Sequence, residues 1–324
     1  MRSLYFVIVV LFLGIQSSVA QEKQIEKIIS FTKKGSIYTD NVDWDSLTPK
    51  VKEAVDLNAN TTYDQLAPAV GVLLDALDDS HSQLTHHDKR SGRAHPTDKF
   101  ERLNDSTKSI LRSGATLHIT KLENIGYIRI PGSHNEDDAQ IFMEALCGLD
   151  INSLSGLIID LRINTGGNMW TMIAGLAPIL ENGILGYFEQ DSYLSEWKLK
   201  KNKIYSGKNK MIRFKKLCSL EEPLKIAVLL GPITASSGEM TAIALKGKEY
   251  VKFFGERTAG YVTVNNQYNI EGELYYQLSS GYCLDRDKNE YRNYVEPDIE
   301  IIGGDAFNYL QKDQKVIKAM EWLR

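Results

Sequence analysis

Apolar residues recur at helical spacing through the first quarter of the chain and later gather into short continuous runs. Between Glu22 and Ser80, Ile25, Ile28 and Ile29 share one helix face, and Leu66, Val70, Leu73, Leu74 and Leu77 share another. Thr62, with Gln65 three residues on, predicts a capping box opening the second of these helices, with Pro68 shifting or kinking its start. The acidic pair Asp78-Asp79 opposes the macrodipole at a helix C-terminus, so the helix is expected to stop there and leave Ser80-His81 just past its end. From Thr85 to Gly114 the chain turns polar, through HHDKRSGRAHPTDK, which predicts a long surface connection and a domain boundary.

Beyond that boundary the period changes. Thr116–Thr120 and Gly126–Ile130 predict a hairpin turning at Glu123-Asn124. Helix Glu136–Leu149, strand Gly156–Leu161, helix Met169–Leu180, strand Ile226–Leu230, a helix containing Thr241–Lys246 and strand Tyr250–Phe254 then alternate, the pattern of parallel strands with helical crossovers. Ser195 to Lys216 is polar and basic and is expected as a solvated insertion. Ala306–Leu323 is expected as a closing helix with Leu310, Ile317 and Met320 facing inward. The expected division is therefore an α/β core over 114–324, preceded by a helical region and linker over 21–113 and a leader over 1–20.

The leader, MRSLYFVIVVLFLGIQSSVA, places Arg2 before an apolar run from Leu4 to Ile15 and ends in Ser18-Val19-Ala20. That is the build of a cleavable signal peptide, since the run is shorter than the ~20 residues a bilayer span needs. The mature chain is thus expected to be exported, periplasmic or extracellular, with no stable membrane span. With 38 basic and 42 acidic residues the net charge is only -4, which argues against a nucleic-acid or anionic-membrane binder and for a peptide or small-molecule partner. Oligomeric state is not legible. Cys147, Cys218 and Cys283 are odd in number and lack any C-x-x-C, so they are expected as ordinary buried residues. One pair can close a disulfide in an oxidising compartment, but sequence does not select it.

Chemistry concentrates in two segments. Strand Ile226–Leu230 runs through Gly231-Pro232-Ile233-Thr234-Ala235 into Ser236-Ser237-Gly238-Glu239 and a helix, placing a serine between a buried strand and a helix start. The positive end of a helix favours a developing alkoxide there, although an N-cap serine has the same signature. The second segment, Gly156 to Asn168, joins an apolar strand to the turn Thr165-Gly166-Gly167 and a helix. Its glycines permit a close backbone approach to a ligand, but no phosphate-binding glycine pattern is present.

Together, "GLIIDLRINTGGN", "VLLGPITASSGEMTAIAL", "GERTAGYVT" and "YVEPDIEI" resemble, in order and style, the tail-specific or C-terminal-processing serine protease family. "LDDSHSQLTHHDKRS" and "DRDKNEYRNYVEPDIE" are similar to its nisin-resistance branch. The resemblance implies a crotonase/ClpP-like ββα core with an N-terminal helical region, without cofactor or metal, and no segment is long enough for the PDZ domain of many relatives. It makes Ser236 the nucleophile, gives one oxyanion donor to the Ser237 N–H, and gives the other to Gly166 or Gly167.

Where the lysine-dependent branch carries its base after G-E-x-T-x-G, this chain has Tyr261, and a tyrosine with a pKa near ~10 is no base at neutral pH. Lys246 and Lys248 lie too far along the nucleophile's own helix. The resemblance points instead to His81 in "DDSHSQL", with Ser80 or Glu290 as possible orienting groups, Glu290 adjoining Tyr291 where related enzymes place a glutamate. A metal site at His81, His86 and His87 lacks a ligand pattern. The implied activity is hydrolysis of an extended peptide or protein C-terminal tail, a lantibiotic-like peptide among them, bound between the helical region and the core. Two alternatives share the core: a non-catalytic binding module like those of interphotoreceptor retinoid-binding protein, and a crotonase-type lyase using Glu239 as base.

Overall fold

A computed structural model describes residues 21–93 and 103–324. The expected leader and part of the polar connection lie outside the described residues. Two compact units emerge, Met1–Thr97 with Thr263–Gly281, and Asp98–Val262 with Tyr282–Arg324. A segment distant in sequence, Thr263–Gly281, thus joins the helical unit.

The first unit contains helical residues 21–35 and the helices Trp44–Glu53 and Thr62–Ala76. Ile25, Ile28, Val51, Leu66, Val70, Leu73 and Leu74 form one buried cluster with Leu84, Tyr276 and Leu278 of its strands. The cap of the third helix is Thr61, which accepts from the Asp64 N–H, one residue before the expected Thr62, and Pro68 sits inside the helix without ending it. The helix does stop at Leu77, and the cause is backbone geometry. Asp78 adopts φ 53° and the N–H groups of Asp78 and Asp79 return to the carbonyls of Asp75 and Leu74. That is a Schellman closure, with aspartate tolerating the left-handed position. Immediately beyond it, strands Gln83–His86 and Lys89–Ser91 form a hairpin where a surface connection was expected. Gln83–His86 also pairs antiparallel with residues 274–277 of strand Leu274–Asp285, which in turn pairs with Thr263–Glu271. A hairpin wet on one face needs only Leu84 inward, so its polarity concealed it.

In the second unit a six-stranded sheet runs Ile299–Glu300, Val251–Gly255, Ile226–Leu230, Gly156–Asp160, Ile125–Arg129, His118–Leu122. All neighbours are parallel except the last two strands, a hairpin turning at Glu123-Asn124 as expected. The helix Gln314–Leu323 covers one face through Val316, Ala319 and Leu323, whereas Ile317 and Met320 are only half-buried. A 3-10 turn at Leu310–Lys312 and the Asp313 cap precede it; Leu310 is buried in the same cluster and Met320 packs against it, as expected, whereas Ile317 lies off that face.

The basic stretch from Ser195 to Lys216 is not a solvated insertion. It forms antiparallel strands Tyr193–Lys200, Lys203–Ser206 and Asn209–Arg213, next to Gly183–Gln190. Trp197, Leu199 and Ile204 point inward and are buried while lysines occupy the outer face. Cys147 and Cys218 form a disulfide, so only Cys283 is the ordinary buried thiol expected of all three. No described helix is long and apolar enough to cross a membrane.

Candidate active site

Parallel pairing of Ile226–Leu230 between Gly156–Asp160 and Val251–Gly255 brings the carboxyl ends of three strands, and the loops that follow them, to one edge. Two hydrogen bonds fasten the first two loops together. Thr234 Oγ1 donates to the Leu161 carbonyl (2.8 Å) and the Ala235 N–H donates to the Asn164 carbonyl (2.9 Å). The chain then turns sharply at Ser236, with φ 51° and ψ -120°, before helix Ser237–Ile243. A positive φ at a non-glycine residue costs about 1–2 kcal/mol. It persists because both flanks are tied down, and it presents a half-buried serine on a strand-to-helix elbow.

Glu239 supplies the tie on the helix side. Its carboxylate is fully buried and accepts from the N–H groups of Ser236 (2.7 Å), Gly260 (2.8 Å) and Tyr261 (2.8 Å), and from the Thr258 hydroxyl. Burial pushes its pKa up to about 7 against the pull of these donors. The same carboxylate thus fixes the Ser236 turn and the loop carrying Tyr261. Enclosed by four donors, it is not placed to serve as a crotonase-type base.

The glycine turn lies directly against the elbow. A Cβ on Gly166 would sit 3.1 Å from the Ala235 carbonyl and 3.2 Å from Ser236 Cβ, and one on Gly167 would overlap the Ser133 carbonyl at 1.9 Å. Both glycines have φ above 100°, so no other residue fits. The Gly166 N–H is already spent on Asn164 Oδ1 (3.0 Å), which removes Gly166 from the two candidate donors. The N–H groups of Gly167 and Ser237 have no acceptor among the described residues, while the Ser237 hydroxyl donates to the Gly167 carbonyl (2.6 Å) and couples the two segments.

Beneath the turns runs a buried ionic chain. Arg162 binds Asp160, Asp305 and Asp313, and Lys315 joins Asp305 to Glu256. Burial alone would raise the Asp160 pKa, but the Arg162 charge and hydrogen bonds outweigh it and hold the carboxyl below its ordinary range. One network therefore anchors the start of the glycine turn and the start of the G-E-R-T-A-G loop.

His81 belongs to the first unit, just beyond the Schellman closure. Its N–H donates to Asp79 Oδ1 (2.9 Å) and its ring Nδ1 lies 2.7 Å from Thr263 Oγ1. Ser80, expected to orient the ring, accepts instead from Arg93 (3.2 Å). Glu290, the other expected orienting group, is exposed in the second unit and pairs with Arg292. Of the remaining basic groups, Lys246 Nζ donates to the Glu296 carbonyl (3.0 Å) and Lys248 pairs with Glu181 (2.9 Å). His87 faces Glu273 (3.1 Å) on the surface. Sequence reasoning missed Asn164, Thr258 and Thr263, because small polar residues acquire these roles only from the backbone path. A doublet such as Asn164-Thr165 ahead of two glycines was the available signal.

A serine on a strand-to-helix elbow, beside a glycine turn with open amides, has the geometry that the nucleophile side of a serine peptidase site requires. The family follows from comparison: the model of peptidase family S41 matches residues 124–301, and the chain belongs to that family. It is 29% identical over 295 residues to the nisin-resistance protein of Lactococcus lactis subsp. lactis, covering 89% of this chain and 82% of the relative. In fold it is similar to a lipoprotein from Streptococcus agalactiae, with a TM-score of 0.67 at 24% identity, covering 94% and 96% of the two chains. It is also similar to the photosystem II D1 C-terminal processing protease, with a TM-score of 0.53 at 13% identity, covering 88% and 93%. The architecture is that of the S41 tail-specific proteases, and no PDZ domain is evident among the described residues.

Proposed function

We propose that the protein is an exported serine endopeptidase that cleaves extended peptides or protein C-terminal tails through an acyl-enzyme on Ser236. The observation that carries this reading is the strained Ser236 elbow flanked by the two open amides of Gly167 and Ser237. In the proposed cycle His81 takes the Ser236 proton, the alkoxide attacks the peptide carbonyl, and these amides hold the oxyanion. His81 then protonates the leaving amine, and water activated by the same imidazole releases the acyl group. The Cys147–Cys218 disulfide supports export, since such bonds persist in oxidising compartments. The nisin-resistance relative makes a lantibiotic-like peptide a sensible first substrate. Incubation with nisin, and with unstructured peptides bearing free or amidated C-termini, followed by mass spectrometry, tests the proposal. The expected result is cleavage by wild type, none by Ser236→Ala, and a drop of about 10²–10⁴-fold in His81→Ala. Binding of these peptides without any product would instead favour a non-catalytic binding protein.

A further inference from the structure

Asp79 is fully buried, yet no ion pair to it exists among the described residues. Its charge is balanced by donors alone. Oδ1 accepts from the N–H groups of His81 (2.9 Å) and Ser82 (3.0 Å) and from the Ser279 hydroxyl (3.0 Å), while Oδ2 accepts from the Ser82 hydroxyl. Ser279 Oγ lies 3.2 Å from Thr263 Oγ1, which lies 2.7 Å from His81 Nδ1. All of these residues belong to the first unit, so the arrangement holds by itself.

The direction of the protons follows from the carboxylate, which can only accept. Ser279 therefore spends its proton on Asp79 and receives the Thr263 O–H on a lone pair. The other partner of the Thr263 hydroxyl is Asn265 Oδ1 (3.4 Å), also an acceptor, with the Asn265 amide nitrogen turned to the His81 carbonyl (3.4 Å). With its proton on either of these acceptors, the Thr263 oxygen faces the ring as an acceptor and Nδ1 of His81 carries the hydrogen. The opposite arrangement, Thr263 donating to Nδ1, would put the hydrogen on Nε2, and the two differ in a measurable tautomer.

We propose that Asp79, Ser279 and Thr263 form a positioning relay that fixes neutral His81 as the Nδ1–H tautomer and leaves Nε2 as its basic nitrogen. The relay rests on the reading of His81 as general base. Thr263 takes the place that an orienting carboxylate holds in a serine–histidine–aspartate triad, with the charge withdrawn behind two hydroxyls. No proton moves along it. Its work is to hold the ring and to stabilise the imidazolium that forms when Nε2 takes a proton.

The test uses full-length chain labelled with 15N in histidine. Long-range proton–nitrogen correlation of the resting protein reads the tautomer without needing any turnover. The expected spectrum shows His81 Nδ1 protonated and Nε2 bare above its pKa, and a protonated Nε2 there would overturn the relay. The second arm measures the rate of fluorophosphonate labelling. Thr263→Val should lose about tenfold, the weight of one hydrogen bond, while Thr263→Ser restores the rate towards wild type. Asp79→Asn keeps the shape, removes the charge and should move the acid limb of the labelling profile to lower pH. Unchanged rate and limb in folded Thr263→Val and Asp79→Asn would reduce the cluster to a structural one and overturn its positioning role. If wild type itself never labels, the peptidase reading fails, and the tautomer alone then decides the relay.

Discussion

Replacing Glu239 with alanine would remove the acceptor of three backbone N–H groups and one hydroxyl from the middle of the second unit. Each buried donor left without a partner costs about 1–3 kcal/mol, so three N–H groups give about 3–9 kcal/mol, and water entering the vacated space brings the expectation to the lower half. Against a typical total of about 5–15 kcal/mol, Glu239→Ala should stand near the limit of folding. Glu239→Gln is milder. Its oxygen can still serve Ser236 and Tyr261, and the Thr258 hydroxyl can turn to accept from its amide, so one N–H, that of Gly260, loses its acceptor at a cost of about 1–3 kcal/mol.

The pH dependence separates the two effects. Burial raises Glu239 from 4.5 to about 7 in the folded chain. A carboxyl raised on folding contributes stability that is fully present below pH 4.5 and is lost as pH rises through 7, here about 3 kcal/mol. Glutamine does not titrate, so the gap between wild type and Glu239→Gln should be widest near pH 5 and shrink by pH 8. Urea midpoints at pH 5, 6, 7 and 8 measure it. A wild-type midpoint in Glu239→Ala, or a gap that does not change with pH, would refute the assigned role of Glu239.

Two further outcomes follow from the same structure. Breaking the disulfide with Cys147→Ser and Cys218→Ser together frees a loop of 71 residues and should lower stability by up to about 4 kcal/mol on the chain-entropy account, seen as a lower melting temperature and as sensitivity of wild type to dithiothreitol. Gly167→Ala places a methyl 1.9 Å from the Ser133 carbonyl and displaces the proposed oxyanion donor, so fluorophosphonate labelling should fall by about 10²–10³-fold, whereas Gly148→Ala, with no neighbour within 4 Å and an ordinary backbone φ, should keep full labelling.

The sheet core was legible because its strands are buried on both faces. Ile226–Leu230 and Gly156–Asp160 are continuous apolar runs, and their order with the intervening helices specifies parallel pairing. The ribbon Tyr193–Arg213 was hidden for the opposite reason. Its lysines on the wet face mask the alternation that buries Trp197 and Leu199. Local pattern also could not show that Thr263–Gly281 joins the helical unit, since that pairing joins segments as far apart in sequence as Gln83 and Gln277. In the site, Ser236 and the glycine turn announced themselves through strand, turn and helix succession. The donor occupied by Asn164, the Thr263 partner of His81 and the pairing of Cys147 with Cys218 depend on which backbones meet, which composition does not encode.

The central claim is that Ser236 is an activated nucleophile. Wild-type protein treated with a fluorophosphonate and analysed by intact mass and peptide mapping should carry one adduct, on the peptide containing Ser236. The adduct should vanish in Ser236→Ala and form about 10²–10⁴-fold more slowly in His81→Ala. An adduct on another residue, or none on folded wild-type protein, would contradict the account.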